Sequence, residues 1–136
     1  MGSETPTASV NLLVAHLLEE LAKYEKQISK MALRDKILRL IELQDGFRKL
    51  GIALAVQDGL SPASARGRIR DYLQAHPNTA INGLELAAIS GISEYARRVR
   101  ELRSEGMPII SGADSDNKDW RLRPDQYFLN AKSKKK

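Results

Sequence analysis

The architecture of this chain is set by residues 82–103, NGLELAAISGISEYARRVRELR. Asn82 can cap a helix, and Ser90-Gly91 interrupts the apolar pattern that follows, because glycine tolerates the positive φ of a tight corner. Ser93 then restarts the chain as a second N-cap, and Glu94 follows in the first turn, where a carboxylate suits the positive end of a helix. The stretch therefore predicts two helices joined by a sharp turn.

The second of these helices is amphipathic and rich in arginine. At about 100° per residue, Tyr95, Val99 and Leu102 fall on one side of the helix. Arg97 and Arg100 fall on the other side and are expected to be exposed. The helix holds four arginines in all: Arg97, Arg98, Arg100 and Arg103.

Two interpretations of these arginines remain open. Guanidinium groups suit phosphate oxygens and the acceptor edge of guanine, as in the recognition helix of a helix-turn-helix unit. The alternative is a solvated face on which the arginines pair with Glu94, Glu101 and Glu105. The distribution of charge favours the first interpretation, since residues 1–60 hold eight Lys or Arg and eight Asp or Glu, whereas residues 61–136 hold fourteen against nine, a surplus of +5. Such asymmetry indicates a polyanion partner for the C-terminal half.

The N-terminal half reads as two amphipathic helices. The first is expected from Ser9 for roughly twenty residues, and the second from about Met31 to the turn at Asp58-Gly59, with Gly46 as a candidate break. A narrow apolar stripe follows the first helix and could be either a coiled-coil seam between two chains or an ordinary core within one chain. Its members are Leu17, Leu21, Tyr24, Ile28 and Met31.

The C-terminal half combines short helices with short strands. Ser61-Pro62 is a helix start, and the helix should run to about Ala75 with Ala65, Ile69, Tyr72 and Leu73 buried and Arg66, Arg68 and Arg70 exposed. Short strands are expected at Thr79-Ala80-Ile81, at Met107–Ile110 after a stop at Glu105-Gly106, and at Trp120–Arg123. Residues Tyr127, Phe128 and Leu129 should pack under that sheet.

These elements predict a mainly α chain with a small β-hairpin, an α+β fold class. The predicted organisation is a disordered N-terminus at residues 1–8, a helical hairpin at 9–58, a compact domain at 61–129 and a basic tail at 130–136. The absence of cysteine excludes disulfides and zinc-thiolate sites. No signal peptide or membrane span is evident, so a cytoplasmic protein is expected, nucleoid-associated if bacterial.

The order helix, strand, helix, turn, helix, hairpin over residues 61–129 resembles winged helix-turn-helix domains. Gly83-Leu84-Glu85-Leu86, the stretch from Ser90 to Arg103 and the strand at Gly106-Met107-Pro108-Ile109 are similar to winged-helix modules attached to bacterial restriction and homing-type nucleases and found in phage and mobile-element proteins. The resemblance implies double-stranded DNA as partner. One departure is the acidic wing, where Asp114, Asp116 and Asp119 outnumber Lys118.

No catalytic constellation accompanies this pattern. His16 and His76 lie far apart, no glycine-rich phosphate loop is present, and no serine has a nearby base. Asp114 and Asp116 could ligate a hard cation, but the loop lacks the terminal glutamate of a calcium site. We therefore expect a protein that is not an enzyme and that has no cofactor and no metal.

The sequence thus predicts a DNA-binding protein that dimerises through residues 9–57. Arg97 and Arg100 are expected to enter the major groove near Ser93 and Glu94, and Arg98 and Arg103 to meet phosphates. Further backbone contacts are expected from Arg66, Arg68, Arg70, Arg121 and Arg123, with the Lys132–Lys136 tail adding sequence-independent attraction. The alternative is a winged-helix module or assembly subunit that docks on a partner protein through Tyr95, the arginines and the acidic wing.

Overall fold

The computed structural model describes residues 6–114 and 122–131. Within them the chain is mainly α-helical with one small antiparallel sheet, and the predicted fold class is confirmed. The chain divides into two compact units, Met1–Asp58 and Gly59–Lys136. Each is described by itself below.

The first unit is a pair of antiparallel helices. Helix α1 spans Pro6–Gln27 and so begins before the predicted Ser9; a short 3-10 turn follows at Ile28–Lys30, and helix α2 spans Leu33–Gln57. The Tyr24 hydroxyl donates to the backbone carbonyl of Lys36 at 3.0 Å, which ties the end of α1 to the start of α2. This unit will be called the hairpin.

Helix α2 runs unbroken through Gly46, so the expected break there was wrong. A Cβ built on Gly46 would lie 2.6 Å from Cδ2 of Leu17. The glycine therefore allows α1 to approach α2 closely. Its presence in the sequence suggested a helix break, but at this position glycine serves the packing of the two helices.

The predicted stripe on α1 is divided between two environments. Leu17 is 5% exposed and lies against α2, and the Tyr24 hydroxyl is hydrogen-bonded to the backbone of α2. Both residues therefore belong to the contact between the two helices of the hairpin. Leu21 and Ile28 are 40% and 37% exposed. Leu17 and Tyr24 thus fit the interpretation as a core within one chain, whereas Leu21 and Ile28 do not, and their role in a seam between chains stays a prediction.

The second unit alternates short helices and strands. Its elements in chain order are α3 (Ala65–Ala75), β1 (Ile81–Asn82), α4 (Gly83–Ser90), α5 (Tyr95–Ser104), β2 (Ile109–Ser111) and β3 (Gln126–Leu129). This order agrees with the sequence analysis except at particular boundaries.

Two predicted helix starts were wrong. Helix α3 begins after Ser64, whose hydroxyl accepts from the Gly67 amide at 2.9 Å, and Ser61 instead accepts from the amide of Ala63 in the preceding turn. At α5 the N-cap position belongs to Glu94 and not to Ser93. In both places two polar residues compete for one cap, and the sequence alone favoured the earlier of them.

The turn between α4 and α5 agrees with the prediction. Gly91 has φ 77°, in the left-handed region that glycine tolerates. At the other end of α4, the Glu85 carboxylate accepts from the backbone amide of Asn82 at 3.0 Å, which fixes the helix start.

The sheet has the strand order β1-β3-β2, with both pairings antiparallel. Ile81 pairs with Tyr127, and Ile109 pairs with Leu129. The strand predicted at 120–123 was wrong at Leu122 and Arg123, which lie outside any strand and precede β3. Residues 120 and 121 lie outside the described ranges. Residues 127–129 form the central strand itself and do not pack beneath it. Successive side chains of β3 point to opposite faces of the sheet, so Tyr127 and Leu129 reach the core from within the strand.

The core of the second unit joins all of these elements. Its fully buried members are apolar side chains contributed by three helices and three strands. They are Ile69, Leu73, Ile81, Leu86, Val99, Leu102, Ile109, Tyr127 and Leu129.

Candidate nucleic-acid interface

Helix α5 packs on the core along one face. Val99 and Leu102 are each 1% exposed, and Tyr95 meets Tyr127 edge-to-face with ring centroids 6.3 Å apart. Helical spacing sets the residues that point directly away from this face. These are Ser93 before the helix and Arg97, Arg100 and Ser104 along it, all exposed, and we call them the outward stripe.

The two arginines of the outward stripe are the least constrained on the helix. The Arg97 side chain is 65% exposed, and its nearest described carboxylate oxygen, on Glu101, is 4.0 Å away. Arg100 has no ion pair with any residue in the described ranges. Both guanidinium groups are thus available to an external anion.

The flank of α5 that faces α3 is electrically paired. Arg98 lies 3.2 Å from Glu101, and Arg66 of α3 forms an ion pair with Glu105. Arg98 is half-buried, and its Nε has no hydrogen-bond partner among the described residues. These contacts tie α3 to α5 and leave little free positive charge on this flank.

The opposite flank carries a bidentate ion pair. Both terminal nitrogens of Arg103 lie 3.0 Å from the two carboxylate oxygens of Asp114, and one of those oxygens also accepts from the Ser111 amide at 3.0 Å. Burial acts to raise the pKa of Asp114, but the Ser111 amide and the Arg103 guanidinium outweigh it and hold that pKa below its ordinary value. The pair fixes the end of β2 against α5.

Arg68 was wrongly predicted to be exposed. Its residue is 7% exposed, and its guanidinium donates to the backbone carbonyls of Ile89 at 2.9 Å, Ser90 at 2.8 Å and Ser61 at 3.2 Å. The first two carbonyls are at the C-terminus of α4, where carbonyl groups lack partners within the helix and where positive charge is favourable. Burial lowers the pKa of Arg68, but a guanidinium remains protonated. Arg68 therefore stabilises the turn and cannot reach DNA.

The remaining predicted site residues are scattered. Arg70 is exposed and lies 3.0 Å from its neighbour Asp71. Arg123 is exposed, and Glu94 occupies the N-cap position of α5 without a capping hydrogen bond from its side chain. Arg121 lies outside the described residues, as do Asp116, Lys118, Asp119 and the Lys132–Lys136 tail. The structure therefore brings together Ser93, Arg97 and Arg100 with Arg98 and Arg103 at their sides.

A second link holds the start of α4, and the sequence analysis missed it. The Tyr72 hydroxyl donates to the Glu85 carboxylate at 2.6 Å. Burial, together with that carboxylate, raises the pKa of Tyr72 to about 12. The two residues are thirteen positions apart in the chain, so no local spacing could have indicated the contact.

Across residues 6–114 and 122–131, no group of three or more His, Cys, Asp or Glu side chains is arranged to hold a metal ion. The same ranges contain no helix of the length and apolar character that crossing a bilayer requires.

Residues 66–130 match the family described as KpnI N-terminal domain, a restriction-enzyme-related family. No curated protein and no solved structure matches the chain significantly. The matched segment contains α3 to β3 and with them the outward stripe, and it stops short of the hairpin. The second unit is therefore similar to a restriction-associated module.

Proposed function

We propose that this chain is a non-catalytic DNA-binding protein of bacterial or phage restriction, defence or mobile-element type, and that residues 61–129 act as a winged helix-turn-helix. In this proposal α4 and α5 form the helix-turn-helix, α5 is the recognition helix, and the segment between β2 and β3 is the wing.

The order of elements supports the winged-helix part. The elements follow the order α3, β1, α4, α5, β2, β3, and β1 pairs with the last strand in a three-stranded antiparallel sheet. Arg68 and Glu85 rigidify the two ends of α4, and Gly91 supplies the corner. A rigid corner is what a recognition helix needs, because base contacts require fixed geometry.

The observation that carries the DNA-binding part is the outward stripe. Arg97 and Arg100 lie one turn apart on the face opposite the core. Arg97 has only a 4.0 Å ion pair with Glu101, and Arg100 has no ion pair in the described ranges. Arginine on such a face can bind guanine O6 and N7 in a bidentate manner. The similarity of residues 66–130 to a restriction-associated domain supports the same partner.

The proposal also assigns roles around the stripe. Ser93 and Ser104 lie on it and can donate to phosphate, while Arg70 and Arg123 are exposed and suited to backbone contact. Arg98 and Arg103 already have carboxylate partners and would have to exchange them for phosphate. The hairpin supplies dimerisation, which doubles the contacts and sets the spacing of half-sites.

Fluorescence anisotropy with a labelled random duplex at low and moderate salt tests the proposal. If about six to eight phosphates are neutralised, affinity should fall by about 10³-fold between the two conditions. The same measurement on a chain ending at Leu129 removes the lysine tail. Binding that persists in the shortened chain supports the second unit as the DNA-binding element, and binding that vanishes with the tail, or never appears, contradicts the proposal.

A protein-interaction module is the second candidate. The observation that favours it is the pairing of three arginines around α5 with acids, together with Leu84 of α4, which is 77% exposed. An apolar side chain at that exposure suits a protein surface better than a phosphate backbone. Absence of any salt-dependent DNA binding would move this candidate to first place.

A further inference from the structure

The hairpin exposes more large apolar side chains than it buries. Among its described residues, the buried apolar set is Val10, Leu17, Leu43 and Ala55. A much larger set is 37–72% exposed, which is unusual because surfaces of monomers rarely gather such residues into one patch. The exposed residues are not scattered evenly around the two helices.

On α1 the exposed residues form one stripe with heptad spacing. Val14, Leu18 and Leu21 follow each other at intervals of four and three residues and are 40%, 64% and 40% exposed. Ile28, seven residues further on at the start of the 3-10 turn, is 37% exposed. Such spacing keeps apolar side chains on one line along a helix, as in the seams of helix bundles.

On α2 a second stripe has the same spacing. Leu33, Ile37, Leu40, Phe47 and Leu54 are 72%, 45%, 40%, 51% and 48% exposed. Leu33, Leu40, Phe47 and Leu54 repeat every seven residues along the helix. This seam is distinct from the line of α2 that meets α1, where Leu43 is buried and Gly46 lies against Leu17.

Both stripes lie on the same side of the hairpin. On α1 the stripe is rotated about the helix axis away from the residues that contact α2, since Leu21 follows the buried Leu17 by four residues. On α2 the stripe is rotated in the same sense, since Phe47 follows the buried Leu43 by four residues. Because α1 and α2 run antiparallel, equal rotation brings the two stripes to one face. We call this the apolar face.

The other side of the hairpin combines charged residues with two exposed leucines, Leu12 and Leu38. It carries ion pairs between Arg39 and Glu42 at 3.2 Å and between Lys49 and Asp45 at 3.3 Å. A groove of about 240 Å³ on this side is lined by charged residues of both helices and His16, together with Leu13, Leu17 and Leu43. Charged and apolar side chains alternate on this side, whereas the apolar face gathers nine exposed apolar side chains in two continuous stripes.

We infer that the apolar face binds the same face of a second copy of this chain and that the two hairpins form a four-helix bundle. A four-helix bundle can be divided into two layers of two antiparallel helices each. The hairpin has the form of one such layer, with one heptad stripe on each helix, and a two-fold axis places an identical layer against it. At the exposures given above, the nine residues present an area on the order of 800 Å² per chain, comparable to the about 800 Å² per partner that a stable interface buries. This inference rests on the dimer in the proposed function and identifies the apolar face as the surface through which that dimer forms.

Sedimentation of the full chain across a micromolar concentration series tests the inference. The wild-type chain should sediment at twice its 15.2 kDa mass. The Leu40→Glu, Phe47→Glu double variant should raise the dissociation constant by about 100-fold or more, since each glutamate would be buried in an apolar seam.

The matched control is the double variant Leu12→Glu with Leu38→Glu. These leucines are 58% and 45% exposed, comparable to the two test positions, but they lie outside both stripes. The control should remain dimeric, and far-UV circular dichroism should show unchanged helix content in both variants. A wild-type chain that stays monomeric, a test variant that stays dimeric, or a control that dissociates equally would overturn the inference.

DNA binding is measured on the same samples and separates this inference from the rest of the proposed function. A monomeric wild-type chain that still binds duplex DNA would overturn the bundle and leave the DNA-binding role standing. A dimer that is sensitive to the test variant and does not bind DNA would support the bundle and contradict the DNA-binding role.

Discussion

Helices α3 and α5 carry the two arginine clusters of the second unit, and the structure uses them differently. On α3, Arg68 is buried against three carbonyl groups, Arg66 pairs with Glu105 and Arg70 with Asp71. On α5, the flanking arginines are also paired, but Arg97 and Arg100 point outward without a close carboxylate in the described ranges. A guanidinium that already has its partners contributes to the fold, and one without them is available to a ligand.

This difference could not be obtained by counting charges. Both helices look amphipathic and basic in the sequence, and both clusters were expected to contact DNA. The deciding contacts are long-range, since Arg68 bonds to residues 21 and 22 positions further along the chain.

Arg68→Ala should have the largest effect on stability. The substitution leaves the buried carbonyls of Ile89 and Ser90 without their charged donor, and we expect a loss of about 3 kcal/mol in the free energy of unfolding. Arg68→Lys should recover only part of it, because an ammonium cannot reproduce the planar fork. Urea denaturation followed by circular dichroism measures the change. A variant as stable as the wild-type chain would show that Arg68 is not a structural residue.

Asp114→Asn should have a smaller effect that depends on pH. The pKa of Asp114 is lowered in the folded chain, so its contribution is present above the unfolded value of 3.8 and is lost as the pH falls through the folded value. At pH 7 the variant should be less stable by about 1 kcal/mol, and the difference should disappear in acid. Denaturation at several pH values checks this, with the exposed Asp125→Asn as control. A difference that is constant with pH would contradict the role of the Arg103 pair.

Arg66→Ala should change stability least. Its ion pair with Glu105 is exposed, and such pairs contribute about 0–1 kcal/mol. Raising the salt concentration should reduce even this difference. A loss as large as that of Arg68→Ala would mean that α3 is held by its exposed pairs and not by its buried arginine.

The sequence predicted most of the elements because apolar spacing and turn residues are local signals. The corner at Gly91, the core face of α5 and the helix stop at Gly106 all follow from neighbours in the chain. The start of α3 was misplaced because both Ser61 and Ser64 are plausible caps and only Ser64 caps the helix. The continuity of α2 was missed because the reason for Gly46, its close contact with Leu17, lies in another helix. The exposure of Arg97 and Arg100 opposite the core also follows from helical spacing, while their role in DNA binding stays a prediction.

What the sequence could not give is the set of partners of each arginine. Asp114 was interpreted as part of an acidic wing, yet its carboxylate accepts hydrogen bonds from Arg103 and from the Ser111 amide. Arg103 and Asp114 are eleven positions apart and lie on opposite sides of β2 in the chain, so the contact depends on where β2 places the carboxylate. The division of the hairpin into a polar and an apolar face likewise required knowing which line of α1 meets α2.

The most direct test of the account compares two double variants of the full chain on one duplex, selected from a random pool by the wild-type chain. Arg97→Ala with Arg100→Ala and Arg66→Ala with Arg70→Ala each remove two positive charges from the same unit. The α5 variant should lose about 30-fold or more in affinity, since each bidentate arginine contributes about 1–3 kcal/mol of discrimination, whereas the α3 variant should lose only a few-fold. An equal loss in the two variants, or a larger loss for α3, would contradict the assignment of α5 as the DNA-reading helix.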